Sequence, residues 1–379
     1  MGGCVAGVPE RWSGWFSAGQ VTIGAPYLAI SEGGQGWRMP VVDAPVRRCD
    51  SGQVARRQAS VLVQSRDMPT DLRWLAADVT AGVTLQDGTG SVDVAQIVGR
   101  LRVPPQDDDR GLVLLDIASP ELALHGHGFT QARTIAGGAL GTMANLVWES
   151  LPGHAIAVDD RVRDVPLMVA DYGPGDDARW EALTKIAAAA SAEFGSDRGG
   201  RLRVADAVEP WPLGQPPIKV EEGVSTGRLP IAESDITPNV VRVVAPDTPS
   251  GDDEPPYGVA VDDRPYSPAY VGPHISPGRG VLTDDQLHAL PGYAPLVTRT
   301  FELPVTSWLD ASSAARGLVV RKSRAGDVTL SMPCNPWLDW GDLIHGLGGP
   351  DRPAEAYIVT GFEIPILLPP VMQVTARLA

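Results

Sequence analysis

Cysteine is nearly absent: three in 379 residues. Cys4, Cys49 and Cys334 lie far apart, their number is odd, and none has zinc-ligand spacing. A disulfide framework is therefore not expected, and assembly in a reducing cytosol is. No run of 18 apolar residues occurs, so no membrane span is expected. The first residues, MGGCVAGVPERWSGWF, lack a basic region followed by an apolar core and do not read as a secretory signal. MGGC also lacks the Ser or Thr of a myristoylation start. Bases are scarce as well: 31 against 46 acids, a net charge of −15. Gripping nucleic acid by its phosphates needs clustered Lys and Arg, so specific DNA binding is not expected. The acidity fits solubility, or a surface past which DNA slides without sticking.

Gly and Pro are abundant, 42 and 35, against 6% aromatics. That balance points to a loop-rich β protein with tight turns. The length implies two to four domains, and 43% hydrophobic residues suffice for real cores.

Short strand signals fill 1–120. Val21-Thr22-Ile23 and Tyr27-Leu28-Ala29-Ile30 flank an expected turn at Gly24-Ala25-Pro26. Arg57–Gln64 alternates, with Ala59, Val61 and Val63 on one face. Segments 83–85, 97–103 and 112–117 also read as strands. Between 121 and 210 the character becomes α+β. Ala139–Ser150 predicts a helix with Leu140, Met143, Ala144 and Val147 as its apolar face. Beyond a proline-rich stretch, WPLGQPP, 239–245 predicts a buried strand. PDTPSGDDEPPYG (246–258) reads as an acidic surface loop. Thr283-Asp284-Asp285-Gln286 fits a capping box. Segments 317–321 and 328–331 read as a hairpin, and 357–362 and 372–378 as strands. The expected architecture is mainly β with an α+β insert: a barrel-like β domain (1–120), an α+β module (121–210), and a second barrel-like β domain (211–379) with a long surface loop near 246–280.

Chemical signatures are thin. His125-Gly126-His127 would share a strand face but has no third or fourth ligand. The acidic groups Asp159-Asp160, Asp176-Asp177, Asp252-Asp253-Glu254 and Asp262-Asp263 suit caps and solvated loops better than the paired carboxylates of a glycosidase. No nucleophile elbow or phosphate loop is present. Cys334, between prolines, reads as packed. Ten Trp against five Phe raise a sugar-stacking reading for Trp337 and Trp340; buried Trp is the commoner outcome. No catalytic set, metal or cofactor is expected.

The strongest helix signal lies in 176–206. Trp180, Leu183, Ile186, Ala187, Ala190 and Phe194 recur at spacings of three and four. Asp176 or Asp177 is placed to cap the start, Gly195 to stop the helix, and Arg198-Gly199-Gly200-Arg201 to turn into the strand Leu202-Arg203-Val204. Trp180, Leu183, Ile186 and Phe194 are the expected core of the α+β module.

That unit resembles one found in phage tail hub proteins. Further ordered motifs carry the likeness: the strand Asn239-Val240-Val241-Arg242-Val243-Val244; the loop DDRPYSPAYVG, with Asp263, Pro265, Ser267, Pro268, Tyr270 and Gly272; the helix start at Leu282-Thr283; and NPWLDWGD, with Asn335, Pro336, Gly341 and Asp342. From about residue 45 onward the chain is similar to minor tail proteins of long-tailed actinobacterial phages, relatives of the baseplate hubs of contractile tails. It departs where Pro291 breaks the helix after Thr283, and the first 40 residues have no counterpart. The resemblance implies a non-enzymatic homotrimeric ring at the virion's tail tip, assembled in the host cytoplasm. That ring would join a sixfold tail tube to a threefold tip and form part of the DNA channel. Implied partners are a distal tail protein or tube ring, a tape measure protein, and other tail-tip or fibre proteins, with DNA only in transit. The alternatives are a tail-tip cell-wall hydrolase using a carboxylate pair, and a carbohydrate-binding receptor module.

Overall fold

The computed structural model describes residues 22–43, 47–50, 55–70, 72–73, 76–86, 90–103, 105–107, 110–208, 218–219, 225–228, 238–246, 255–263, 271, 296–322, 327–345, 356–364 and 371–378. The chain is mainly β, with curled half-barrel sheets.

The first β region comprises β1 (Thr22–Glu32), β2 (Gln35–Pro40), β3 (Arg47–Asp50), β4 (Arg57–Gln64), β5 (Asp78–Gln86), β6 (Ser91–Leu101), β7 (Gln106–Asp107) and β8 (Leu112–Ala118). β4 buries every second residue, as the pleat requires of a sheet with one dry face. Val61, Val63, Leu28, Ile30, Ile97, Leu115 and Ile117 form its core. Each fully buried aliphatic side chain contributes about 1.5–3 kcal/mol. β1 and β2 are joined at Gly33-Gly34, both with positive φ (57° and 87°), the two-residue turn whose twist matches a hairpin. The turn expected at Gly24-Ala25-Pro26 does not form. β1 runs straight through it, and its register against β5 shifts between Ile23 and Pro26. Proline cannot donate to a ladder, and a bulge accommodates it.

Next come α1 (Glu121–His125), β9 (Arg133–Gly138), α2 (Ala139–Ser150), β10 (Ile156–Val158), β11 (Pro166–Tyr172), α3 (Ala178–Ala189), β12 (Ala192–Ser196) and β13 (Leu202–Asp206). α2 buries Ala139, Met143, Leu146 and Val147. Leu146 takes the place expected for Ala144, which is exposed. β10, β13 and β12 form one small sheet, and β11 pairs with β9.

The last region holds β14 (Ile218–Lys219), β15 (Ser225–Arg228), β16 (Val240–Val244), β17 (Tyr257–Val261), β18 (Thr298–Glu302), α4 (Trp308–Lys322), β19 (Asp327–Pro333), β20 (Leu343–His345), β21 (Ala356–Ile364) and β22 (Val371–Leu378). Residues 317–321, expected as a strand, belong to α4. The reason lies at its start. The Ser307 hydroxyl accepts the Asp310 N–H (3.1 Å) and lies 2.6 Å from the Asp310 carboxylate, a capping arrangement. Ala311, Ala314, Ala315, Leu318 and Val319 then follow at helical spacing into the core. This pattern outweighs the strand preference of the Val-Val pair.

Two packing relations set the architecture. The sheet β17-β16-β18 and α4 share one hydrophobic cluster with α2 and α3, through Val241, Val243, Ala314 and Leu318 against Leu183 and Ile186. The first and last β regions meet edge to edge, with β3 paired antiparallel to β21, so both lie on one continuous path of strands. Among the described residues no helix is long and apolar enough to cross a membrane.

Candidate functional site

Charge is buried where the first β region, the β12–β13 hairpin and the 333–342 loop converge. Arg56 precedes β4 and Arg57 opens it; they are 4% and 2% exposed. Arg57 falls on the same strand parity as Ala59, Val61 and Val63, which turns it inward. It donates to the Gln96 carbonyl (3.1 Å) and to the Asp339 carboxylate. Asp339 also accepts the backbone N–H groups of Arg198 (3.0 Å) and Trp340 (2.8 Å), and Arg203 lies 3.7 Å away. Arg56 reaches the other way, donating to Glu193 and to the Phe194 carbonyl, both at 2.8 Å.

Trp340 sits between the two systems. The Arg56 and Arg203 guanidinium groups each lie 3.9 Å from its ring centroid, a doubled cation–π contact. Its indole N–H donates to the Ser196 carbonyl (2.7 Å). Ser196 in turn donates its N–H (2.6 Å) and hydroxyl (2.9 Å) to the buried Glu121. Asn335 orders the loop: its side-chain oxygen accepts the Trp337 N–H (3.0 Å) and its carbonyl accepts the Leu338 N–H (3.2 Å). Gly341 turns at φ 81° and donates to the Val359 carbonyl.

The electrostatics follow from this arrangement. Burial pushes the Glu193 carboxyl up, but Arg56, Arg321 and Arg377 more than offset it and bring it down to about 2. Burial opposes ionisation of Asp339 too, and Arg57 and Arg203 hold it below the ordinary range. Asp342 accepts the Asp339 N–H (2.7 Å) and is raised to about 7, by burial and then by the Asp339 charge. Breaking a buried pair of this kind costs about 3–5 kcal/mol, although the intact pair adds little net stability. What it supplies is geometry: three chain regions held in one orientation.

Asn335, Pro336, Gly341 and Asp342 are thus brought together around Asp339 and Trp340. Leu183, Ile186 and Phe194 are buried, and the partly buried Trp180 packs 5.9 Å from the Phe194 ring. Asp263 is described, just beyond β17; Pro265, Ser267, Pro268, Tyr270 and Gly272 lie outside the described residues, as does the capping box at Thr283.

Several expectations are corrected. The helix of 176–206 ends at Ala189, five residues before Phe194, and turns at Ser191 (φ 54°). Phe194 and Gly195 belong to β12. Gly195 does not stop a helix: a Cβ there would stand 2.0 Å from Arg56 Nε, so the glycine makes room for the buried arginine. Asp177 occupies the helix N-cap without a side-chain cap bond, and its carboxylate meets His125 Nε2 (3.0 Å). His125 ends α1, and His127 turns to Ser150 (2.8 Å), so the two imidazoles part. Among the described residues no His, Cys, Asp and Glu group could hold a metal. Trp337 and Trp340 are 8% and 3% exposed, leaving no ring face for a sugar.

Sequence reasoning passed over Arg56, Arg57, Glu193 and Arg203. One signal was present, the parity of Arg57 with the apolar face of β4. Nothing in one sequence pairs it with a carboxylate 282 positions on.

No family model and no curated protein matches the chain. Solved structures do. A tail protein from Neisseria meningitidis aligns with TM-score 0.59 at 12% identity, over 93% of this chain and 96% of that one. The 43 kDa tail protein of prophage MuSo2 from Shewanella oneidensis gives 0.54 at 10%, over 93% and 98%. Prophage tail protein gp18 from Listeria monocytogenes gives 0.50 at 8%, over 93% and 94%. The class defined is the fold of phage tail proteins, matched nearly end to end.

Proposed function

We propose that this chain is a structural component of a phage tail tip: a homotrimeric hub ring of the minor tail protein kind that joins a sixfold tube to a threefold tip and lines part of the DNA passage. The observation that carries this reading is the end-to-end likeness to tail proteins, with the buried junction fixing two β regions side by side. The division into 1–120, 121–210 and 211–379 gives two barrel-like units per chain, so three copies present six. A net charge of −15 suits a wall past which DNA moves without binding. The chain carries no reaction and needs no cofactor. It works in the virion after assembly in the host cytoplasm. Its neighbours are a distal tail protein or tube ring, a tape measure protein, and other tip or fibre proteins. Symmetry-resolved imaging of intact tails tests this: three copies in one ring at the tip are expected, and a single copy or a site along the shaft overturns it.

A further inference from the structure

We propose that the groove between β6 and β10 is the docking site for the acidic stretch 247–254 of a second copy of this chain. This contact presupposes the ring of copies proposed above and gives it a specific joint.

The groove is a cavity of about 740 Å³ between the first β region and the β10-β13-β12 sheet. β10 is an edge strand: it pairs with β13 on one side, and among the described residues nothing pairs with its other edge. Ile156 and Ala157 of that strand line the cavity, so unpaired backbone groups are on offer to an incoming extended segment. Gly199 and Gly200, in the β12–β13 turn, leave that part of the lining without side chains, and Gly200 is fixed there: its φ is 73°, and a Cβ would stand 2.9 Å from Val98. Two arginines and one acid line it: Arg100 lies 3.5 Å from Asp78, which leaves Arg201 as the cation that no acid of the lining balances.

A groove with one arginine to spare, in a chain of net charge −15, favours an acidic occupant. The chain supplies one. Residues 247–254 carry Asp247, Asp252, Asp253 and Glu254 and no base, and they connect β16 to β17, whose facing ends are paired at Val244 and Tyr257. Groove and acidic stretch are different segments of the chain, so a contact between copies is head-to-tail, the kind that closes rings.

The test reads self-association of the full chain by mass against concentration, with Arg201→Glu, Asp253→Lys and the double variant. Each single change is expected to raise the association midpoint at least tenfold, and the double to recover most of it. A labelled peptide of residues 246–258 is expected to bind any monomeric chain, and to lose at least tenfold when Asp252, Asp253 and Glu254 are neutralised to Asn, Asn and Gln. Because the peptide is varied rather than the protein, this arm holds even where a variant misfolds. Unchanged association in both single variants, or equal binding of the neutral peptide, overturns the proposal. So does equal displacement by a single-stranded oligonucleotide, which would mark a general anion surface. Such results with a trimer intact in tails remove only this joint; a single copy in tails removes the ring itself.

Discussion

Arg57 and Asp339 form a buried ion pair across 282 positions of sequence, one at the first residue of β4 and the other in the loop before β20. It lies at the seam where β3 and β21 also join the two β regions. Asp339→Ala leaves Arg57 and Arg203 buried beside a lost counter-charge, and is expected to cost about 3–5 kcal/mol. Replacing both partners, Arg57→Met with Asp339→Leu, removes the stranded Arg57 charge but still leaves Arg203 and the Arg198 and Trp340 N–H groups without Asp339, so it is expected to recover only part of that loss. Urea unfolding of the two variants beside the native chain checks it; a double variant no better than Asp339→Ala refutes the compensated pair.

The seam also titrates, in two windows of opposite sign. Asp342 is raised from 3.8 to about 7, so the stability it allows is full below about 4 and is lost as pH rises through about 7. Glu193 is lowered from 4.5 to about 2, so its contribution is present above about 4.5 and is lost as pH falls through about 2. Asp342→Asn stays uncharged at every pH. Its melting temperature is expected to exceed that of the native chain increasingly from pH 5 to 8, and parallel melting curves across that range would contradict the raised carboxyl.

Local pattern was legible and long-range charge was not. The alternation of β4, the 239–245 strand and the α2 helix could be read because burial of one face imposes a period on neighbouring residues. The 317–321 segment was misread because Val-Val favours strands, while the Ser307–Asp310 cap and the alanine spacing that decide the matter lie upstream. Gly195 was misread for a different reason. Sequence identifies a glycine but not what it makes room for, and here that is an arginine 139 residues earlier, a tertiary contact with no local trace.

Glycine at close approaches gives a paired test. Gly258 in β17 lies against α4, where a Cβ would stand 2.3 Å from the Ser312 backbone nitrogen. Backbone cannot swing aside, so Gly258→Ala forces strand and helix apart, at an expected cost of about 1–3 kcal/mol. Gly141 in α2 has nothing within 4 Å of its added Cβ. Gly141→Ala therefore gains helix propensity without a clash and is expected to stabilise by about 0.5–1 kcal/mol. Opposite shifts in thermal unfolding confirm the contrast; equal shifts place the β17–α4 contact farther apart than described.

Trp340 separates a structural role from a ligand role. Its ring is clasped by Arg56 and Arg203, its N–H is taken by Ser196, and it is 3% exposed. Trp340→Ala opens a cavity and strips both guanidinium groups of their ring face, an expected loss of about 3–5 kcal/mol. Trp340→Phe keeps an aromatic face but leaves the buried Ser196 carbonyl without its donor, an intermediate loss of about 1–3 kcal/mol. A surface tryptophan that stacks on sugar predicts the reverse: stability unmoved by either change, and glycan binding lost. Measuring unfolding and glycan-array binding on the same two variants decides between them, because a ring held between two buried cations cannot leave its place without unfolding the seam.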